Sequence, residues 1–203
     1  DPEQARLLAT REHDALADLA GQDRAWRVQG WFDWDGYRVT PVIVAVDATG
    51  LYRITLQRKP DHGGDGRVPL RPGRAVAEDA FAALAAVHEK GITHRAIGLR
   101  SIEVARNGRV RFRDFDRAHL PTAATIAPAL GEGGAAAGFR PPGVPLAAYQ
   151  PADDVYAVAL SLIQWLYGDA TDDPDHDLAR HRAGAYPEIG PLLARCLSDD
   201  PQQ

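Results

Sequence analysis

Cysteine is nearly absent from this chain of 203 residues, in which Cys196 is the only one. A single thiol excludes an intrachain disulfide, so we expect a reducing compartment, and the cytoplasm fits best. The sequence also lacks a signal peptide and any run approaching the roughly 20 apolar residues that cross a bilayer. We therefore expect no membrane contact.

Lysine is scarce as well, and acidic residues outnumber basic ones. The formal net charge is −5 and the isoelectric point is about 5.8, with lysine only at Lys59 and Lys90. Arginines and acidic residues are interleaved along the chain, which is typical of a solvated surface and argues against a nucleic-acid partner. Hydrophobic residues make up 45% of the chain and charged residues 25%, the balance of an ordinary globular domain.

A helix, a polar loop and a hairpin follow one another in the middle of the chain. Apolar residues recur at helical spacing over 74–87, and Gly91 predicts the end of that helix. A polar loop over 92–101 comes next. Two β-like pieces, 102–105 and 110–113, then predict a tight hairpin.

The N-terminal part predicts one amphipathic helix and a second hairpin. An apolar stripe runs along 2–20, and Glu12 lies within it, where a carboxylate needs a partner. Two extended runs, 25–34 and 37–47, flank Asp35-Gly36, which is a strong signal for a tight turn.

The remaining segments are read from composition and periodicity. We expect a short helix over 51–58 and a surface loop rich in glycine and proline over 59–73. Residues 117–138 are of low complexity. Residues 152–168 are apolar nearly all round, which predicts a buried helix, and a short apolar segment covers 189–197.

The order of helix, polar loop, hairpin and acidic triplet resembles the catalytic core of eukaryotic-type protein kinases, which include bacterial Ser/Thr kinases. In that family the loop reads H-R-D-L-K-P-x-N and the triplet D-F-G. Here residues 94–101 read H-R-A-I-G-L-R-S, and residues 114–116 read D-F-D. Ala96 stands at the position of the catalytic aspartate, Gly98 at that of the lysine, and Ser101 at that of the metal-binding asparagine. The chain therefore resembles a degenerate kinase, a pseudokinase.

Other segments extend the resemblance over nearly the whole chain. Residues 138–143 are similar to the family's Y-x-A-P-E, and 152–168 to its αF helix, S-D-V-Y-S-L-G. The implied fold class is α+β, with a truncated small lobe over 1–47 (the αC helix and the fourth and fifth strands) and a mostly helical large lobe over 48–203 (αD to αH). The family's first three strands have no counterpart, so we expect them in preceding sequence of a longer protein, or a partner over the open sheet edge.

The resemblance also implies structural roles. Asp154 matches the αF aspartate that anchors the backbone of the catalytic loop from below. His94 and Phe115, with Leu16 and Trp31, match an apolar spine that links the two lobes of the family. The retained residues are thus those of the scaffold.

Two functions from different classes remain open. Without a carboxylate at Ala96 the domain is expected to be catalytically inactive, to use no ATP or Mg²⁺ as cofactor, and to act as a regulatory or scaffolding module for a protein partner or for other domains of the same polypeptide. The alternative is an atypical ATP-dependent Ser/Thr protein kinase in which Asp116 supplies the carboxylate, while Glu12 and Asp114 help to bind the nucleotide and Mg²⁺. In either case Arg95 is available for an acidic or phosphorylated partner.

Overall fold

The structure, a computed structural model, describes ten stretches of the chain: residues 2–19, 27–28, 32–34, 37–39, 42–43, 53–55, 70–105, 109–121, 136–169 and 171–198. These stretches form a mixed α+β protein, as the sequence predicts. Their α-helices are α1 (Pro2–Asp18), α2 (Leu70–His88), α3 (Pro151–Leu166), α4 (His176–Ala185) and α5 (Gly190–Cys196). Their strands are β1 (Arg27–Val28), β2 (Phe32–Trp34), β3 (Tyr37–Val39), β4 (Val42–Ile43), β5 (Arg53–Thr55), β6 (Ile102–Ala105) and β7 (Val110–Phe112).

The predicted N-terminal hairpin is confirmed. β2 and β3 pair antiparallel with Trp34 opposite Tyr37, the register expected from the predicted two-residue turn, although Asp35 and Gly36 themselves lie outside the described residues. β1 and β4 also pair antiparallel, with Val28 opposite Val42. From Val28 to Phe32 the chain advances four residues, whereas from Val39 to Val42 it advances three. The registers of the two ladders therefore differ by one residue.

The expected short helix over 51–58 is wrong. β5 lies in this segment and pairs antiparallel with β6, with Arg53 opposite Ala105, and β6 pairs in turn with β7. Arg53-Ile54-Thr55 contains two β-branched residues, which favour a strand, and the exposed edge of the β6–β7 hairpin offers it backbone partners. Tertiary pairing therefore overrides a weak local helical pattern.

The expected loop over 59–73 is wrong at its end, since α2 begins at Leu70. Pro72 lies in the first turn of this helix, where a backbone N–H has no intrahelical acceptor, so proline is tolerated. Gly73 packs against the α3 side, since a Cβ there would come within 2.8 Å of a Leu166 side-chain carbon. Residues 59–69 lie outside the described part of the chain.

The core is built around α3. Every residue from Tyr156 to Leu166 is buried, which confirms the predicted buried helix. α2, α4 and α5 pack against α3, and α2 also packs against β7. α1 packs against the single-turn 3₁₀ helix Phe115–Arg117 that follows β7. Among the described residues, no helix combines the length and apolar character needed to cross a membrane.

Candidate functional site

The loop between α2 and β6 is fixed from beneath by one buried carboxylate. Asp154, in the first turn of α3, is fully buried. Its Oδ2 accepts a hydrogen bond from the His94 backbone N–H at 2.7 Å, and its Oδ1 accepts one from the Arg95 N–H at 2.9 Å. The His88 Nε2–H donates to the same carboxylate at 3.0 Å. Three donors offset the cost of burying this charge, so Asp154 joins the end of α2, the loop and α3.

The ring of His94 forms the centre of the loop. It is fully buried, and its centroid lies 4.4 Å from that of Phe115. The Nε2–H donates to the Arg113 carbonyl oxygen at 2.8 Å, while Nδ1 accepts from the Ala96 N–H at 3.3 Å. Burial lowers the pKa of His94. Both nitrogens are thus engaged in a neutral imidazole, which suits a packing residue and not a proton carrier.

Ser101 closes a turn within the loop. Its Oγ accepts a hydrogen bond from the Gly98 N–H at 2.9 Å and donates to the Gly98 carbonyl oxygen at 3.1 Å. Gly98 has little space on its other side, since a Cβ there would lie 3.2 Å from a ring carbon of Phe139. The polar atom expected to replace a metal ligand is therefore occupied by the backbone of its own loop.

Above this loop lies a cavity of about 290 Å³. Small residues form much of its wall, among them Ala96, Gly98, Ala136 and Ala137. Its charged lining consists of four arginines and three aspartates: Arg95, Arg100, Arg117, Arg140, Asp114, Asp116 and Asp172. The cavity lies between the loop, the residues after β7 and the 3₁₀ helix Ala137–Phe139.

Acidic side chains meet where α1 packs against the residues after β7. Burial, then the carboxylates of Asp116 and Asp114, raise the pKa of Glu12, although its carboxylate accepts a hydrogen bond from the Asp114 backbone N–H. Burial also raises the pKa of Asp116. The Arg113 Nε donates to Asp114 Oδ1 at 3.0 Å. Arg113 and Arg117 are cations that partly offset this concentration of negative charge.

Two residues of the site have backbone angles that favour glycine. Arg95 has φ 68° and Asp114 has φ 63°, both in the left-handed region. Strain of this kind persists where surrounding contacts over-determine it. For Arg95 the contact is Asp154, and for Asp114 it is the hydrogen bond from its N–H to Glu12.

Two of the donors that the resemblance implies for Mg²⁺ are already engaged in other hydrogen bonds. Ser101 Oγ is closed into its turn, and Asp114 Oδ1 accepts a hydrogen bond from Arg113. Within the described stretches no group of three or more His, Cys, Asp or Glu side chains is arranged to hold a metal ion. Mg²⁺ prefers several oxygen ligands in octahedral geometry, and Ser101 Oγ and Asp114 Oδ1 are held in these other hydrogen bonds.

The structure brings most of the predicted site residues together. Ala96, Ser101, Asp114 and Arg95 line the cavity, and His94, Phe115 and Asp154 lie beneath it. Leu16 is buried in the same core, and Glu12 lies beside Asp114 and not in the cavity wall. Trp31 lies outside the described residues.

Four contributors were not foreseen. His88 donates to Asp154 from the last turn of α2, a contact across 66 residues that sequence periodicity does not indicate. Arg100 and Asp172 form an ion pair at 2.7 Å across 72 residues, which no local pattern indicates. Phe139 is fully buried against Gly98, and only its aromatic character hinted at burial.

No family model matches the sequence, and no curated protein matches it. Functional assignment therefore depends on the residues and geometry described above.

Proposed function

We propose that this chain is a catalytically inactive domain of the protein kinase-like fold, acting as a regulatory or scaffolding module that binds a protein partner or other domains of the same polypeptide. The division into part of a small lobe over 1–47 and a large lobe over 48–203 belongs to this proposal. So does a cytoplasmic location, which the single cysteine favours.

The observation that carries the proposal is a loop whose structural contacts are kept, while the position of the catalytic carboxylate is occupied by Ala96. Asp154 binds the backbone of His94 and Arg95, the contact that the resemblance implies for the αF-like aspartate. At the next residue, Ala96 has no atom that can accept a proton from a hydroxyl. The contact between the tilted rings of His94 and Phe115 supports the spine interpretation in the same way.

The polar groups that remain are engaged in structure. Ser101 closes the Gly98 turn, and Gly98 brings no charge to the cavity. Phosphoryl transfer depends on positioned metal ions and a carboxylate that orients the attacking hydroxyl, and losses among parts that act together cost orders of magnitude in rate. The site thus favours binding over catalysis.

A thermal titration of the whole chain with ATP, with and without Mg²⁺, tests this proposal. A ligand that binds only the native state raises the unfolding midpoint in a concentration-dependent manner. We expect no Mg²⁺-dependent rise. A rise that requires Mg²⁺ and disappears in Asp114→Ala would overturn the proposal, because it would reveal a working metal–nucleotide site.

One observation favours a second candidate, an atypical Ser/Thr protein kinase. Asp116 lines the same cavity as Ala96, and burial raises its pKa, which makes its carboxylate a stronger base. ATP-dependent phosphorylation that is lost in Asp116→Asn but kept in Asp172→Asn would support this candidate. Asp172 is a suitable control because it lines the same cavity and pairs with Arg100.

A further inference from the structure

We propose that a groove between the proline-rich turn at 141–145 and the start of α4 is a docking site for a partner protein. Its occupant is a short segment that carries an aromatic side chain next to arginine or lysine. This inference rests on the proposed function and names the chemistry of the partner. The groove has a volume of about 420 Å³ and lies beside the cavity above Ala96, with which it shares Ala137 and Arg140.

One wall of the groove is a preformed turn. Prolines at 141, 142 and 145 line it together with Val144. The Val144 N–H donates to the Pro141 carbonyl oxygen at 3.2 Å, and Gly143 has φ 77°. Proline at the second position and glycine with positive φ at the third are typical of a type II turn. Because each pyrrolidine ring fixes φ, this wall loses little conformational freedom when a partner binds.

His176 fixes the α4 side of the groove. Its Nε2–H donates to the Gly138 carbonyl oxygen at 2.9 Å, and its Nδ1 lies 2.6 Å from the Tyr156 hydroxyl. The ring also stacks on that of Tyr156, with centroids 5.7 Å apart. Both ring nitrogens are therefore engaged within the protein, so the groove is bounded by rigid groups on two sides.

The proline wall favours an aromatic side chain. Pro142 and Pro145 are exposed and Val144 is half-buried, so aliphatic surface faces the solvent there. Aromatic side chains bury large areas and are the usual anchors of protein–protein interfaces. The volume of about 420 Å³ falls within the range of roughly 300–1,000 Å³ that is usual for ligand sites. One aromatic side chain with its adjoining backbone is an occupant of suitable size.

Two exposed aspartates beside the groove favour a basic neighbour for that aromatic residue. Asp173 packs against the groove residue Gly138, since a Cβ on Gly138 would lie 3.2 Å from the Asp173 Cα. Asp175 directly precedes His176, and its carboxylate accepts a hydrogen bond from the Leu178 N–H at 2.9 Å as the cap of α4. Both aspartates are exposed to the solvent. A positive charge on the partner would lie close to both carboxylates.

The cations of the surrounding elements are engaged elsewhere. Arg100 pairs with Asp172 at 2.7 Å, and Arg180 pairs with Asp177 at 2.9 Å. Arg140 lines the groove but already interacts with other residues of the chain. Among the described residues, neither of the two aspartates beside the groove takes part in an ion pair. Their negative charge is therefore available to a basic partner segment.

The experiment is an NMR titration of the isotope-labelled whole chain with three capped peptides. Their sequences are Ala-Trp-Arg-Arg-Ala, Ala-Ala-Arg-Arg-Ala and Ala-Trp-Glu-Glu-Ala. We expect saturable shifts of the Ala137, Gly138 and Val144 amide signals with the first peptide. Removing the indole or reversing the charge should each weaken binding by roughly tenfold or more, since aromatic anchors and electrostatic complementarity carry the interaction.

Substitutions in the chain provide the controls. Asp173→Asn combined with Asp175→Asn should weaken binding of the first peptide by about fivefold, the effect of two exposed ion pairs, and asparagine still caps α4. Asp18→Asn, a matched change on the exposed face of α1, should leave binding unchanged. Val144→Arg adds a long cation to the wall and should abolish binding, whereas Val144→Ala should weaken it only severalfold. The three peptides keep the test decisive where a variant fails to fold, because they are compared on the unaltered chain.

Four outcomes would overturn the inference: no saturable shift with the first peptide, equal binding of all three peptides, binding that survives Val144→Arg, or shifts of the groove signals when the chain alone is diluted. The last would identify a second copy of the chain as the occupant.

Failure here is distinguishable from failure of the proposed function. A chain that binds no peptide and shows no Mg²⁺-dependent response to ATP remains a non-catalytic module with its partner surface elsewhere. Peptide binding at the groove together with a Mg²⁺-dependent response to ATP would overturn the proposed function and keep the docking site.

Discussion

Single residues decide whether the loop above α3 can keep its shape. Asp154 accepts three hydrogen bonds, and two of them come from consecutive backbone N–H groups that have no strand or helix to join. The neighbouring Asp153 stabilises the start of α3 instead. Its Oδ2 accepts a hydrogen bond from the Gln150 N–H at 2.6 Å as part of the helix cap. The two adjacent carboxylates therefore offer a matched comparison.

Asp154→Ala should lower the free energy of unfolding by roughly 2–4 kcal/mol, because it leaves buried donors without an acceptor. Asp153→Ala should cost only about 1 kcal/mol, the usual value of a helix cap. Chemical denaturation of both variants checks the difference. Equal losses would contradict the account of Asp154 as the residue that fixes the loop.

Glu12 makes stability depend on pH. Its folded-state pKa is raised above the ordinary value by burial, then by Asp116 and Asp114. The folded chain thus keeps this proton to higher pH than the unfolded chain, so the contribution is fully present in acid and is lost as the pH rises through the folded pKa.

Glu12→Gln should therefore be more stable than the parent at neutral pH, with the difference closing as the pH falls. The amide oxygen of glutamine can still accept from the Asp114 N–H. Denaturation curves between about pH 4 and pH 8 measure the effect. Glu89→Gln, at an exposed position, serves as the control. A Glu12→Gln variant that is less stable than the parent at pH 7 would show that the contact with Arg113 outweighs the repulsion.

Elements beyond the loop complete the cavity. The 3₁₀ helix Ala137–Phe139 is held by His176, whose Nε2–H donates to the Gly138 carbonyl oxygen at 2.9 Å while Nδ1 lies 2.6 Å from the Tyr156 hydroxyl. Gly138 itself approaches the Asp172 backbone closely, since a Cβ there would lie 2.5 Å from that carbonyl oxygen. One wall of the cavity is therefore built by close backbone packing.

Gly138→Ala should destabilise the chain by about 1–3 kcal/mol, because a backbone must move to admit the methyl group. Gly184→Ala is the control, since this α4 residue has open space around its Cβ position. There the loss of backbone freedom in the unfolded chain should make alanine stabilising by about 0.5–1 kcal/mol. Thermal unfolding of both variants gives the comparison, and a neutral Gly138→Ala would contradict the close packing.

Sequence periodicity identified the elements that carry strong local signals. The apolar run of α3, the β2–β3 pairing and the β6–β7 pairing were predictable because each is specified by its own residues. β5 was not, since its strand state depends on an edge about 50 residues away in sequence. The same limit applies within the site, where the position of Asp154 could be expected but the Arg100–Asp172 pair could not.

At the scale of the whole molecule, the proposed function combines a loop held in place by Asp154 with cavity residues that differ from those of the kinases the sequence resembles. α2, α3 and the loop between them are fixed by Asp154, and α1 packs against the residues after β7. The residues that face the cavity at positions 96, 98 and 101 are alanine, glycine and a serine already engaged in its turn. This arrangement is the basis on which we propose recognition of a partner instead of phosphoryl transfer.

The most direct test is a phosphoryl-transfer assay of the whole chain with γ-labelled ATP and either Mg²⁺ or Mn²⁺, scoring label on the chain itself and on generic protein substrates. The account predicts no incorporation above that of an unfolded control, and none gained in Ala96→Asp, because Ser101 would still be engaged in the Gly98 turn. Metal-dependent incorporation by the unaltered chain that disappears in Asp116→Asn would contradict it.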